Sequence, residues 1–359
     1  MTQRTTRRPS GAPTISDVAR RAGVSPMTVS RVINGERNVR PQTRAAVDEA
    51  VRELRYAPNS AARSLAGAVQ LRIGILYSSN PSAGFLGEFL AGCLDQAARQ
   101  DVQIVLEKCE LGEGEALAAR HMLGQGMDGI VVPPPLCEAP GVLDELAGAG
   151  VPAVLVATGA PVDGMLATGI DDREAAQVMV RHLMALGHRR IGFVAGDPDL
   201  GASARRLDGY RAALHEAGVA ADPALIAPGS YTYRSGLAAA EALLSLPEPP
   251  SAIFASNDDM AAAAIAVAHR HRLDVPGDLT VCGFDDTALS TAIWPELTTI
   301  RQPIADMARA AITMLVHAVR RPGDAGEGPH RRVLDFALVR RESDGPPPGA
   351  RADPRPHDA

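Results

Sequence analysis

The chain has 359 residues, 46% of them hydrophobic, enough to bury a core in two or three domains. Its formal charge of −6 is uneven: residues 1–70 hold twelve arginines against five acidic residues, and the remainder is acidic. Lys108 is the only lysine and no Gly-Lys-Ser/Thr triplet occurs, so a phosphate-cradling P-loop is excluded, and no apolar run approaches the roughly 18 residues of a membrane span.

Residues 1–13 are basic with no apolar stretch behind them, which predicts a disordered start and no secretory signal. The four cysteines, Cys93, Cys109, Cys137 and Cys282, have no CxxC spacing; buried reduced thiols in a cytoplasmic protein are expected, with no metal site. At "TISD" (14–17) a capping box opens a helix with Val18, Ala19 and Ala22 on one face, broken at Gly23. The stretch "SPMTVSRVING" (25–35) supplies an N-cap, a proline at the first helical position and an Asn-Gly stop, with Val29 and Val32 facing inward. Barely two turns long, it is too short to be stable alone and must dock on neighbours. A third helix from Pro41 places Val47, Val51 and Leu54 at helical spacing. Residues 14–56 therefore read as a small three-helix unit, and 57–70, Ala-rich and basic, as a linker.

From Leu71 the rhythm alternates strand and helix. Strands are predicted at 71–78, 102–107, 129–134, 153–158, 190–197, 252–258, 280–286 and 333–341, with Ala-rich amphipathic helices such as 86–100, 173–187 and 259–272 between them. Apolar strands alternating with helices indicate parallel sheets covered on both faces. The length, 71–343, suits two Rossmann-like lobes with a cleft between them, and the Pro- and Gly-rich end, 344–359, reads as disordered. "GQGMDG" (124–129) matches a dinucleotide fingerprint in letters only, because it follows a helix and leads into a strand; it reads as a turn, and no cofactor is expected. "ASNDD" (255–259) and "GFDD" (283–286) fall at strand C-termini, where open α/β sheets bind ligands. Their carboxylates fit ligand binding, simple helix capping by Asp258 or Asp259, or a hydrolytic acid/base pair.

"TISDVARRAGVSPMTVSRVING" resembles the N-terminal helix-turn-helix of the LacI/GalR family of bacterial transcription regulators. "RYAPNSAARSLAG" is similar to that family's hinge. "LMALGHRRIGFVAG", "ARRLDGYRAAL", "AIFASNDDMAAAAI", "VCGFDDTALSTAIWPELTTIRQP" and "LVRRES" resemble its effector-domain blocks, in the same order. The resemblance implies an all-α helix-turn-helix head joined to a two-lobed, periplasmic-binding-protein-like α/β effector domain of parallel sheets. It further implies a repressor that binds palindromic double-stranded operator DNA as a homodimer, with a small carbohydrate-like effector and no membrane partner.

Carried over by position, Pro26, Met27 and Arg31 read bases from the recognition helix, and Arg31 suits guanine O6/N7. Thr14, Ser25, Thr28, Ser30, Asn34 and Thr43 fall where the family touches phosphates, and Arg40 stands where many relatives have Ser. Asn59, Ala62 and Leu65 match the hinge, with Leu65 the wedge in the minor groove. Arg206, Asn257 and Asp285 match polar effector contacts, Tyr231 an aromatic position that stacks on a sugar ring, and Ser78 lines the other lobe. Ala157 departs from the family, whose sugar-binding members often have Asp there. Two other readings stay open on residues 71–343: a periplasmic sugar-binding protein, and a carbohydrate-active enzyme using Asp258 and Asp285. Neither accounts for residues 14–70.

Overall fold

The computed structural model describes residues 14–33, 39–54, 70–78, 82–110, 112, 114–159, 162–321 and 330–349. The expectations for 1–13, for most of the linker and for 350–359 lie outside these residues. The chain divides into two units at Gln70/Leu71.

In the first unit, helices α1 (Ile15–Ala22), α2 (Pro26–Ile33) and α3 (Pro41–Glu53) stand where the capping signals place them. Asp17 accepts from the Thr14 backbone N–H at 2.9 Å and from Thr14 Oγ1 at 2.7 Å, which holds its carboxyl below the usual range. Gly23, at φ 67°, ends α1 in the left-handed region that only glycine enters freely. Ser25 Oγ then accepts from Thr28 N at 3.1 Å to open α2. Val29 and Val32 of α2 are buried with Val18, Ala19, Val47 and Ala50, so the short helix is stabilised by packing rather than by its own length. Val51 and Leu54 close the edge of this core half-buried.

The second unit contains two six-stranded sheets. Lobe one comprises β1 (Arg72–Tyr77), β2 (Gln103–Lys108), β3 (Gly129–Val132), β4 (Ala153–Val156), β5 (Leu166–Gly169) and β11 (Arg331–Val333), all parallel, in spatial order β2-β1-β3-β4-β5-β11. Helices α4 (Ala83–Gln100), α5 (Glu115–Gly124), α6 (Pro140–Ala149) and α11 (Ile304–Arg320) pack with it. Lobe two comprises β6 (Ile191–Val194), β7 (Ile226–Ala227), β8 (Ala252–Ala255), β9 (Thr280–Asp285), β10 (Thr298–Arg301) and β12 (Ala337–Val339), in order β7-β6-β8-β9-β10-β12. Only β12 is antiparallel, on β10. Helices α7 (Asp172–Ala185), α8 (Gly201–Glu216), α9 (Tyr233–Leu244) and α10 (Asp258–Arg270) pack with this sheet and each other. Every residue of β3, β4, β6 and β8 is buried, as continuous apolar strands covered on both faces must be.

The chain crosses between lobes three times: after β5, between β10 and α11 at Gln302–Pro303, and between β11 and β12. The last crossing corrects the strand expected at 333–341. Its first part pairs with β5 and its second with β10, so Leu334–Phe336 passes from one lobe to the other. The disordered end expected from 344 is also corrected for 344–349. Asp344 is buried and accepts from Thr298 Oγ1 at 2.6 Å and His182 Nε2 at 2.7 Å, while the Gly345 carbonyl accepts from His188 and Thr280. Polar side chains of the lobe-two core tie this proline-rich segment down, which its composition does not reveal.

Candidate functional site: the interlobe cleft and the surface of the three-helix unit

Strand order reverses between β1 and β3 in lobe one and between β6 and β8 in lobe two. Such reversals open a crevice at the carboxyl ends of the strands. A cavity of about 270 Å³ lies there, and Ser78, Arg206, Tyr231, Asn257 and Asp285 all line it. Five residues separated by up to some two hundred positions thus converge because each follows a strand or sits on the first turns of a helix that leaves one.

Arg206, on the second turn of α8, is almost fully buried. It donates to Asp172 Oδ1 at 2.8 Å and to the Ser256 carbonyl at 2.5 Å, and its guanidinium lies 3.6 Å from the Phe284 ring centre. Burial works against its charge, but Asp172, Tyr231 and Asp285 together hold its pKa above the ordinary value. Asp285 ends β9 with Oδ1 accepting from Gln302 Nε2 at 2.5 Å and 3.9 Å from Arg206. Burial pushes its carboxyl well above the usual carboxylate range; Arg206 opposes the shift and the nearby Asp258 adds to it. Oδ2 of Asp285 has no hydrogen-bond partner among the described residues.

Asn257 is the N-cap of α10: Oδ1 accepts from Met260 N at 3.0 Å and Nδ2 donates to the Tyr231 carbonyl at 2.9 Å. The cap is therefore Asn257, not Asp258 or Asp259. A second lone pair of its amide oxygen remains for a ligand. Tyr231 forms a wall, its hydroxyl 2.6 Å from Ser203 Oγ, and Ser78 Oγ donates to Glu110 at 3.2 Å. Ala157, Tyr231 and Asp285, all lining the cavity, have φ of 54°, 60° and 110°. Such non-glycine positive-φ residues cost on the order of 1–3 kcal/mol each and persist where surrounding contacts enforce them, commonly at ligand sites.

The sequence reading missed Glu110, Glu138, Asp197 and Gln302, which also line the cavity. Gln302 is the most telling, because its Oε1 is buried with no hydrogen-bond partner among the described residues. Its position directly after β10 was the available signal. Asp258 is not part of the lining. Its carboxylate accepts from Thr287 N, Thr287 Oγ1 and Thr299 Oγ1 at 2.7, 3.1 and 2.7 Å, so it braces two loops rather than pairing with Asp285 across a shared space.

On the three-helix unit Pro26, Met27 and Arg31 are all exposed, Met27 and Arg31 on the face of α2 opposite buried Val29 and Val32; Met27 is 65% exposed. Thr14 and Ser25 are exposed and Thr28, Ser30 and Thr43 half-buried. The Ser25 and Thr28 hydroxyls lie 2.9 Å apart and hydrogen-bond each other. Asn34, Asn59, Ala62 and Leu65 lie outside the described residues.

The family profile described as bacterial regulatory proteins, lacI family, matches residues 14–59, and that of a periplasmic binding protein-like domain matches 180–343. Catabolite control protein A of Priestia megaterium is 38% identical over 304 residues, covering 84% of this chain and 91% of that protein. A solved complex of the transcriptional regulator CelR with cellobiose superposes with a TM-score of 0.68 at 34% identity, over 92% of this chain and 100% of that one. The lac repressor dimer bound to operator and the anti-inducer ONPF gives a TM-score of 0.74 at 29% identity, over 93% and 99%.

Proposed function

The chain belongs to the lacI family of bacterial regulatory proteins, and from that premise we propose that it is a transcriptional repressor whose grip on a palindromic operator is set by a small uncharged saccharide in the interlobe cleft. The regulator acts as a homodimer, since one short recognition helix covers too little DNA and two-fold symmetry matches two half-sites. Arg31, Met27 and Pro26 read bases, and the hydroxyls around them fix the register on phosphates. The relative solved with cellobiose and the one solved with operator and ONPF support both halves of this reading.

The convergence of Ser78, Arg206, Tyr231, Asn257 and Asp285 on one cavity carries the effector assignment. The chemistry of the lining supports an uncharged, hydroxyl-rich ligand. Asp197, Glu110 and Glu138 outnumber Arg206, whose charge is already shared with Asp172 at 2.8 Å, so an added anion would be repelled. Asp285 Oδ2 and Gln302 Oε1 are acceptors that sugar hydroxyls would satisfy. The volume is just below the roughly 300–1,000 Å³ of drug-sized ligand sites, which favours a monosaccharide-sized group. A ligand that binds one arrangement of the lobes better than the other shifts operator affinity by the difference, and no catalytic step is needed. This is a cytoplasmic role, at the chromosome.

The test is operator selection from random DNA, followed by a thermal-shift screen of neutral sugars, sugar phosphates and uronates. Stabilisation by neutral sugars with no response to the phosphates is expected. A response confined to the anionic panel would overturn the effector class.

A further inference from the structure

The two lobes meet across the cleft at Glu138. Its side chain leaves the short turn Leu136–Glu138 after β3, and both carboxylate oxygens are engaged. Oε1 accepts from Gly159 N at 2.5 Å and from Thr158 Oγ1 at 3.2 Å, both in lobe one. Oε2 reaches into lobe two and accepts from Gly201 N at 2.6 Å. Gly201 is the first residue of α8, and the residue before it, Leu200, has no side-chain acceptor with which to cap that helix. A carboxylate from the opposite lobe thus takes the place of the missing cap, where the helix dipole favours negative charge.

Two further features sit at the same junction. The Arg205 guanidinium, from α8, donates to the Gly159 carbonyl in lobe one. The backbones of Gly159 and Gly201 are so close that a Cβ on Gly159 would stand 2.5 Å from Gly201 Cα, and one on Gly201 would stand 2.7 Å from Gly159 Cα. Neither position has room for a side chain while the contact is made. Charge, hydrogen bonding and backbone shape therefore agree on one arrangement.

We propose that Glu138 is a closure latch, a positioning residue that joins the lobes by bridging the Gly159 and Gly201 amides and so fixes α8 against lobe one. It also sets where α8 presents Ala202 and Arg206 to the cavity. Moving the lobes apart breaks the Gly201 and Arg205 bonds together, leaving only the anchoring of Glu138 on Gly159 and Thr158. With Glu138 at the first N–H of α8, that helix end is closed to acidic groups of a ligand. The importance of the latch for operator binding rests on the effector reading of the cleft; the latch itself does not.

The test uses the full chain without DNA or sugar, by hydrogen exchange and small-angle scattering. In Glu138→Ala both amides lose their acceptor. In Gly201→Ala the carboxylate stays and a methyl group forces the backbones apart. Both variants should speed exchange at the Gly201 amide about tenfold or more and enlarge the particle, while amides of β8 stay protected and report an intact fold. Sodium formate, a free carboxylate, should slow the Gly201 amide again in Glu138→Ala and leave the wild type unchanged. Unaltered exchange at Gly201 and unaltered scattering in both variants would overturn the latch. So would faster exchange confined to Gly159, which would reduce Glu138 to a brace within lobe one. Neither readout depends on operator or effector, so failure of the latch and failure of the regulatory assignment remain distinguishable.

Discussion

Replacing Asp285 by Asn should separate ligand binding from folding. Asn is the suitable probe because position 285 has φ 110°, a region that Asn and Asp tolerate better than Ala. The amide keeps an oxygen for Gln302 Nε2, at 2.5 Å in the native protein, but turns the other oxygen, the one without a partner, into a donor. An effector hydroxyl that donates there loses its acceptor and meets a second donor, at a cost of about 1–3 kcal/mol, or roughly a 5–150-fold weaker Kd. Folding should respond in the opposite sense. The folded-state pKa of Asp285 is raised above its unfolded value of about 3.9. The native protein therefore binds the proton more tightly, and stability present below about pH 4 is lost as pH rises through the folded pKa. Asn imitates the protonated form, so Asp285→Asn should match the wild type in Tm near pH 4 and exceed it at pH 8. The assays are calorimetric titration of the effector at pH 8 and thermal melts across that range. Equal effector affinity in both proteins at pH 8, or a Tm deficit in the variant that grows with pH, would refute the reasoning.

Asp344→Asn should behave in the reverse way: burial opposes its charge, but His182 and Thr298 hold its carboxyl below the usual range. Stability from that carboxylate is present above about pH 4 and lost as pH falls, so melts should show a deficit of about 1.5–3 kcal/mol at pH 7 that shrinks in acid. Arg31→Ala should cost about 1–3 kcal/mol on the selected operator and relax the preference at one base pair per half-site, read by competition binding. Leu65→Ala should weaken operator binding more than binding to scrambled DNA, since a wedge acts only where the site bends; equal losses in gel shifts would remove that role.

The head and most strands were legible because their signals are local. A capping box, Ser25-Pro26 and Gly23 delimit α1 and α2 without reference to anything distant, and fully buried strands announce themselves as apolar runs. β5 and β10, four residues each and interrupted by Thr, carry no such run and take their place only from neighbours in the sheet. The stretch 333–341 looks like one strand because alternation along a chain does not reveal which sheet each half joins. In the cleft, residues inside recognisable sequence blocks were found, while Glu138 was not. Its significance depends on a lobe-two amide sixty-three positions away, a relation visible only once both lobes are folded. Asp258 shows the converse: a carboxylate in a suggestive motif whose neighbours turn it away from the cavity.

The most direct test of the account is the affinity of the full chain for its selected operator, titrated by fluorescence anisotropy with and without the sugar that stabilises it. Coupling between cleft and head predicts a change of about 5–150-fold, corresponding to 1–3 kcal/mol, in the wild type and its near disappearance in Asp285→Asn. An operator affinity that stays the same while calorimetry shows the cleft filled would contradict control of the DNA-binding head by the cleft.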